Sequence, residues 1–174
     1  MTPRQETVYK WGLYALVTLL CCAVQGAVLQ YVSVLGVFPF LYPILAAVLA
    51  TLEGPLPGAV YALALGLVCD LTISAPIPCF YTLVFPLAGM LAGGLARRVL
   101  SSGFLSALAT SSAAFVLTGL FHGLIFALSS RPAWRSVFSV CGRELAVSIP
   151  LVLPVFFLFR AVWRKCLDDP ARRG

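Results

Sequence analysis

Long runs of apolar residues dominate the sequence, separated by short clusters of charged, glycine and proline residues. A helix needs about 20 mainly apolar residues to cross a bilayer, and all its backbone groups must be hydrogen-bonded, so each run predicts a membrane helix rather than a strand. The pattern predicts an all-α polytopic membrane helix bundle in one integral membrane domain, residues 1–174. Its six transmembrane helices are expected at about residues 11–35, 38–52, 55–71, 79–96, 103–128 and 143–163, followed by a polar tail at 164–174.

The first two runs carry features that bear on this prediction. Arg4 and Lys10 precede the first run, as in the n-region of a signal peptide. However, this run is longer than a signal-peptide core and further apolar runs follow it, so we expect a retained helix. The second run is short and contains Pro39 and Pro43, which leaves open whether it spans fully or is tilted, kinked or only partly inserted.

Composition supports a chain embedded in lipid. The sequence is 61% hydrophobic and 10% charged, with a mean hydropathy of +1.00. Too few charged side chains are present to cover a water-soluble globule of this size, which argues against a soluble enzyme. The net charge of +6 lies in short clusters rather than on one amphipathic face, so we expect no nucleic-acid partner.

The basic residues predict the orientation, because cytoplasmic loops hold the excess of Lys and Arg. Six helices with both termini cytoplasmic place nine basic residues inside and three outside. The inner residues are Arg4, Lys10, Arg97, Arg98, Arg160, Arg164, Lys165, Arg172 and Arg173, and the outer ones are Arg131, Arg135 and Arg143.

Small residues recur every four positions along the third predicted helix. Gly54, Gly58, Ala62, Gly66 and Asp70 form one nearly continuous stripe, which we call the α3 stripe. Small residues at this spacing let a neighbouring helix approach closely, so the stripe predicts helix packing within the chain or contact with a partner chain or ligand. Weaker signals of the same kind are Gly89 with Gly93 and Gly119 with Gly123.

A few polar residues within apolar runs are candidates for function, because burying polar groups in hydrocarbon is costly. Gln25, Gln30 and His122 form a possible intramembrane polar site, although an interhelical hydrogen bond is an alternative role for His122. Asp70 is either a functional carboxylate or an interfacial residue that binds amides of the turn after the third helix. Glu144 is expected to open the sixth helix and to complement its dipole.

No arrangement typical of catalysis, metal binding or cofactor binding is evident in the sequence. The six cysteines include no C-x-x-C pair and no Cys/His cluster at metal spacing, although a disulfide between Cys79 and Cys141 stays open. We therefore expect no enzymatic activity and no cofactor.

One block of sequence carries a family resemblance. The stretch EGPLPGAVYALALGLVCDL at 53–71, a proline-rich turn, a helix with GMLAGG and the closing pair Arg97–Arg98 together resemble the bacterial rod-shape-determining protein MreD family. The positions that match the family pattern are Gly54, Gly58, Gly66, Asp70, Arg97 and Arg98, with Arg97 and Arg98 as a cytoplasmic basic anchor.

The resemblance implies a non-enzymatic, multi-pass component of the bacterial cytoplasmic (inner) membrane. It would belong to the cell-elongation machinery that sets rod shape, bind the membrane helix of MreC, and help to position peptidoglycan synthesis. Further partners would be the cytoskeletal protein MreB, the peptidoglycan glycosyltransferase and transpeptidase, and membrane lipid.

The six-helix plan is also similar to the substrate-binding component of energy-coupling-factor vitamin transporters. In that alternative, Ala23 and Ala27 on the first helix would dock to the transporter scaffold, and a pocket would be lined by Gln25, Gln30, Asp70 and His122. A secondary transporter is a third alternative, which would require a dimer to complete an inverted repeat.

Overall fold

The computed structural model describes residues 3–34, 36–73, 77–98, 103–128 and 134–167. These residues are helical apart from short connections and one isolated bridge between Val34 and Val37. The all-α prediction is therefore confirmed for the described residues. The helices are α1 (Pro3–Val24), extended by a π-helical turn (Gln25–Leu29), α2 (Tyr42–Glu53), α3 (Pro55–Thr72), α4 (Phe80–Arg98), α5 (Phe104–Leu128) and α6 (Trp134–Leu167).

Five of these helices are long and apolar enough to cross a membrane, as expected of a multi-pass membrane protein. They present large apolar side chains outward: Leu19, Leu83 and Leu105 are between 67% and 75% exposed. Exposure of such side chains to water would be unfavourable, whereas contact with lipid tails is favourable.

The second predicted span is a short helix inside the bundle. Helix α2 has 12 residues, about 18 Å, which is less than the roughly 30 Å of a hydrocarbon core. It begins at Tyr42 rather than at residue 38, because a proline disfavours helix at the residue before it and Pro43 fits only in the first turn. All residues of 42–51 are buried, since α3, α4, α5 and α6 surround α2.

The first helix also ends earlier than predicted, at Leu29 instead of Leu35. The described residues that follow, 30–34 and 36–41, are non-helical, and we call them the 30–41 segment. Irregular backbone at membrane depth is tolerated only where its polar groups are satisfied by protein or water. Here Ser148, which is fully buried on α6, accepts a hydrogen bond of 3.0 Å from the amide of Phe40.

Helix α6 begins at Trp134, nine residues before the predicted start at Arg143. Residues 134–142, which were expected in a loop, are therefore helical, and residues 129–133 of that loop lie outside the described part of the chain. Glu144 lies ten residues into the helix, so the expectation that it opens α6 and complements its dipole is wrong.

The α3 stripe packs inside the chain, between α2 and α4. A Cβ added at Gly58 would collide with Ala50 of α2, and one added at Gly66 would lie 2.5 Å from the carbonyl oxygen of Tyr81. From the α4 side, a Cβ on Gly89 would lie 2.9 Å from the carbonyl oxygen of Gly58. The absence of side chains thus lets the three helix backbones approach closely.

Several basic residues lie at one end of the bundle. Lys10 forms an ion pair of 2.6 Å with Glu53, whose other oxygen accepts a hydrogen bond of 2.7 Å from Tyr14. Arg97 donates to the backbone carbonyl of Glu53 at 3.4 Å. Tyr14 also stacks on Phe159, which brings the C-terminal part of α6 to the same end. We call this end, with Lys10, Arg97, Arg98, Arg164 and Lys165, the basic end.

Candidate functional site

A cavity of about 780 Å³ lies toward the end of the bundle opposite the basic end. It is enclosed by the last turns of α1 and α3, the 30–41 segment, the beginning of α4, the second half of α5 and the early part of α6. The lining residues are Gln25, Gly26, Gln30, Gly36, Val37, Phe38, Pro39, Phe40, Tyr42, Thr72, Ile73, Tyr81, Phe115, Thr118, Gly119, His122, Phe126, Val140, Cys141 and Glu144.

Helix geometry gives the depth of the cavity. Along α6, Glu144 lies about 30 Å from Arg164, and along α4, Tyr81 lies about 24 Å from Arg97. A hydrocarbon core is also about 30 Å thick. The cavity is therefore located near the boundary of the lipid core on the side opposite the basic end.

Gln25 lines the cavity and binds the backbone of the 30–41 segment with its side-chain amide. Its side-chain nitrogen donates to the carbonyl of Pro39 at 3.0 Å, and its side-chain oxygen accepts from the amide of Leu41 at 2.9 Å. Gln25 is only 8% exposed, so both partners are backbone groups withdrawn from solvent. One amide side chain thereby satisfies two backbone groups of the 30–41 segment that would be paired within a helix.

Aromatic rings form one wall. Phe40 contacts both Tyr42 and Tyr81, with ring centroids 5.6 Å and 5.8 Å apart. His122 lies 4.3 Å from the ring of Phe80 and 6.0 Å from that of Tyr81. These contacts pack Phe40 of the 30–41 segment against α2 and α4, and His122 of α5 against α4.

His122 makes its hydrogen bond within its own helix, not between helices as the sequence suggested. Its Nδ1 lies 3.1 Å from the carbonyl oxygen of Thr118. Because a carbonyl oxygen only accepts hydrogen bonds, Nδ1 carries the proton, and Nε2 of the neutral ring is an acceptor. Within the described part of the chain, Nε2 has no hydrogen-bond partner.

Glu144 is the lining residue that the sequence analysis assigned to a different role. Its side chain is partly buried and faces the cavity. Among the described residues, its carboxylate has no basic partner and accepts no hydrogen bond. A carboxylate left unpaired near a lipid core marks a functional site, because the free energy of desolvation is not compensated there.

Asp70 does not line the cavity. Its Oδ1 accepts from the amide of Tyr81 at 3.1 Å, and its Oδ2 accepts from the amide and the hydroxyl of Thr82 at 2.9 Å and 2.6 Å. Asp70 therefore caps the first turn of α4 from α3, where a negative charge also complements the helix dipole. The sequence left amide binding as one of two roles for Asp70 and expected the amides in the turn that follows α3.

We expect Asp70→Ala to lower the free energy of unfolding by about 1–2 kcal/mol, because two first-turn amides of α4 lose their acceptor. Thr82→Ala removes only the hydroxyl bond and should cost less. Thermal unfolding of the two purified variants in detergent measures the order, and equal losses would contradict a capping role for the carboxylate.

The structure thus brings together the three residues of the predicted polar site and separates them from the other candidates. Gln25, Gln30 and His122 line one cavity, whereas Arg97 and Arg98 lie at the basic end. Cys79 and Cys141 are both free thiols. The described residues include no group of three His, Cys, Asp or Glu side chains that is placed to hold a metal ion.

No protein-family model matches the chain, and no match is found among the curated proteins or the solved structures.

Proposed function

We propose that the protein is a non-enzymatic membrane component of the bacterial cell-elongation machinery, of the MreD type, with both termini cytoplasmic. The observation that carries the proposal is the set of contacts that the family-matching positions make within the block from Glu53 to Arg98. Five of the six matching positions have a defined contact there: Gly58 and Gly66 against neighbouring helices, Gly54 against the side chain of Arg97, Asp70 on α4, and Arg97 on the carbonyl of Glu53. The block thus resembles the family in residues whose packing builds a rigid scaffold.

The proposed partner helix of MreC cannot use the α3 stripe, because α2 and α4 cover it. Helix α1 is the least covered span: 17% of its membrane window is buried, against 28–50% in the other four. Ala23 and Ala27 are exposed on α1 four residues apart, a spacing that allows close approach of a second helix. We therefore place the MreC contact on this face of α1.

At the basic end, the exposed side chains of Arg98, Arg164 and Lys165 suit acidic partners. Both an acidic surface on MreB and anionic lipid of the cytoplasmic leaflet offer such groups. The peptidoglycan glycosyltransferase and transpeptidase would join the assembly through MreC or through the remaining lipid-facing surface.

Co-purification tests the proposal. The tagged protein, purified gently from its own cells, should retain MreC and the elongation enzymes, as identified by mass spectrometry. Ala23→Phe should lower MreC recovery several-fold because the ring holds the helices apart. Ala64→Phe, a change of the same size at an exposed position of α3, should not. Normal recovery with Ala23→Phe would place the contact elsewhere, and loss of MreC from the wild-type preparation would contradict the function.

The cavity favours a second candidate, a substrate-binding membrane subunit of a vitamin transporter. Its volume of about 780 Å³ lies within the usual range for small-molecule sites. The same purification distinguishes the two functions, since recovery of an ATPase pair with a bound vitamin would support the transporter.

A further inference from the structure

We propose that the cavity binds an organic cation, an ammonium group on an apolar or aromatic body, with the ammonium at Glu144. The inference names a ligand class for the site of the second candidate function. It does not depend on a transporter or on the adaptor role, because binding by the chain alone is sufficient.

Charge is the first argument. Among the described lining residues, Glu144 is the one carboxylate, and no Lys or Arg is present. An unpaired carboxylate at the edge of a lipid core gains more from a cation than it would in water, because the lower dielectric constant strengthens their attraction. An anion, in contrast, would meet like charge. The amides of Tyr81 and Thr82 in the first turn of α4 would not attract one, because Asp70 already accepts hydrogen bonds from both.

The aromatic rings are the second argument. A cation is attracted to the face of an aromatic ring within about 6 Å of its centroid, and a desolvated contact of this kind is favourable. Such rings also exclude water from an ammonium that is already paired with a carboxylate. The six aromatic side chains in the lining are Phe38, Phe40, Tyr42, Tyr81, Phe115 and Phe126.

Hydrogen-bond acceptors are the third argument. The Nδ1 proton of His122 is committed to Thr118, so the acceptor Nε2 remains for a donor such as an N–H group. Both polar groups of Gln25 are committed to backbone partners, so Gln25 shapes the site without binding the ligand. Nε2 of His122 and the carboxylate of Glu144 are therefore two acceptors beside aromatic surface, an arrangement that suits a donor cation.

The test measures binding of a defined probe to the full chain in maltoside detergent. We expect benzylammonium to bind, by calorimetry, at least about tenfold more tightly than ethylbenzene, its uncharged isostere, since a charge-assisted hydrogen bond contributes about 1.5–3 kcal/mol. Glu144→Gln should remove this preference, whereas Arg98→Gln, a charge change at the far end, should retain it. Equal binding of the cation and its isostere, or unchanged cation binding by Glu144→Gln, would overturn the proposal.

Two sources offer this chemistry, a soluble amine and the head group of an aminophospholipid. Phosphatidylethanolamine added to the detergent should compete with the probe if lipid is the natural occupant. If it does not compete, a soluble amine is the ligand. Recovery of MreC with Glu144→Gln separates this inference from the adaptor function: MreC should remain bound when cation binding is lost.

Discussion

Gly93→Ala should destabilise the protein by about 1–3 kcal/mol or more, although it adds one methyl group to a helix. A Cβ at this position would lie 2.5 Å and 2.6 Å from the backbone nitrogen and Cα of Pro55 and 2.7 Å from the carbonyl carbon of Gly54. These are backbone atoms at the junction of α2 and α3, so no side chain can rotate away. Helix α4 must shift, and its close contact with α3 is lost.

The neighbouring glycine provides a matched control. A Cβ at Gly94 would meet nothing within 4 Å, so Gly94→Ala should be neutral or slightly stabilising, as expected when alanine replaces glycine in a helix. Thermal unfolding of both variants in the same detergent measures the difference. If both melt at the same temperature, the close approach of α3 and α4 would not contribute to stability.

The contact of α3 with α4 could be anticipated from the sequence because it depends on local spacing. Glycines four residues apart lie on one helix face and permit close packing wherever a neighbour is available. The identity of the neighbour depends on tertiary structure. Spacing alone therefore left a partner chain open, whereas the structure places α2 against Gly58 and α4 against Gly66.

Two of the errors, the end of the first helix and the partners of Asp70, have a common physical origin, which is hydrogen bonding between residues distant in the sequence. Hydropathy alone extends the first helix through residue 35, because Val and Leu continue beyond Leu29. The irregular backbone there is possible because Gln25 and Ser148 bind it from α1 and α6. Likewise, the amide partners of Asp70 lie 11 and 12 residues away, across a turn that local rules do not position.

Glu144 shows why the candidate site was predicted only in part. Its assignment depended on where α6 begins, and the apolar run suggested residue 143. Because α6 begins at Trp134, the same residue becomes an inward-facing carboxylate beside the cavity. Gln25, Gln30 and His122 could be found from the sequence, since a polar residue inside an apolar run is conspicuous wherever the helix begins.

The second large effect is expected for Gln25→Leu, which should lower the free energy of unfolding by roughly 2–6 kcal/mol. The change leaves the carbonyl of Pro39 and the amide of Leu41 without partners, and each unsatisfied buried group costs about 1–3 kcal/mol. The leucine has a similar volume, so packing is largely conserved. Thermal unfolding measures the loss, and protease cleavage within the 30–41 segment should accelerate.

Gln30→Leu separates this effect from the general removal of an amide. Gln30 is exposed, lines the same cavity, and makes no side-chain hydrogen bond within the described residues. Its replacement should leave both the unfolding temperature and the cleavage rate close to those of the wild type. If the two variants behave alike, Gln25 does not support the 30–41 segment. If only Gln25→Leu is impaired, one buried amide maintains the irregular backbone that lines the cavity.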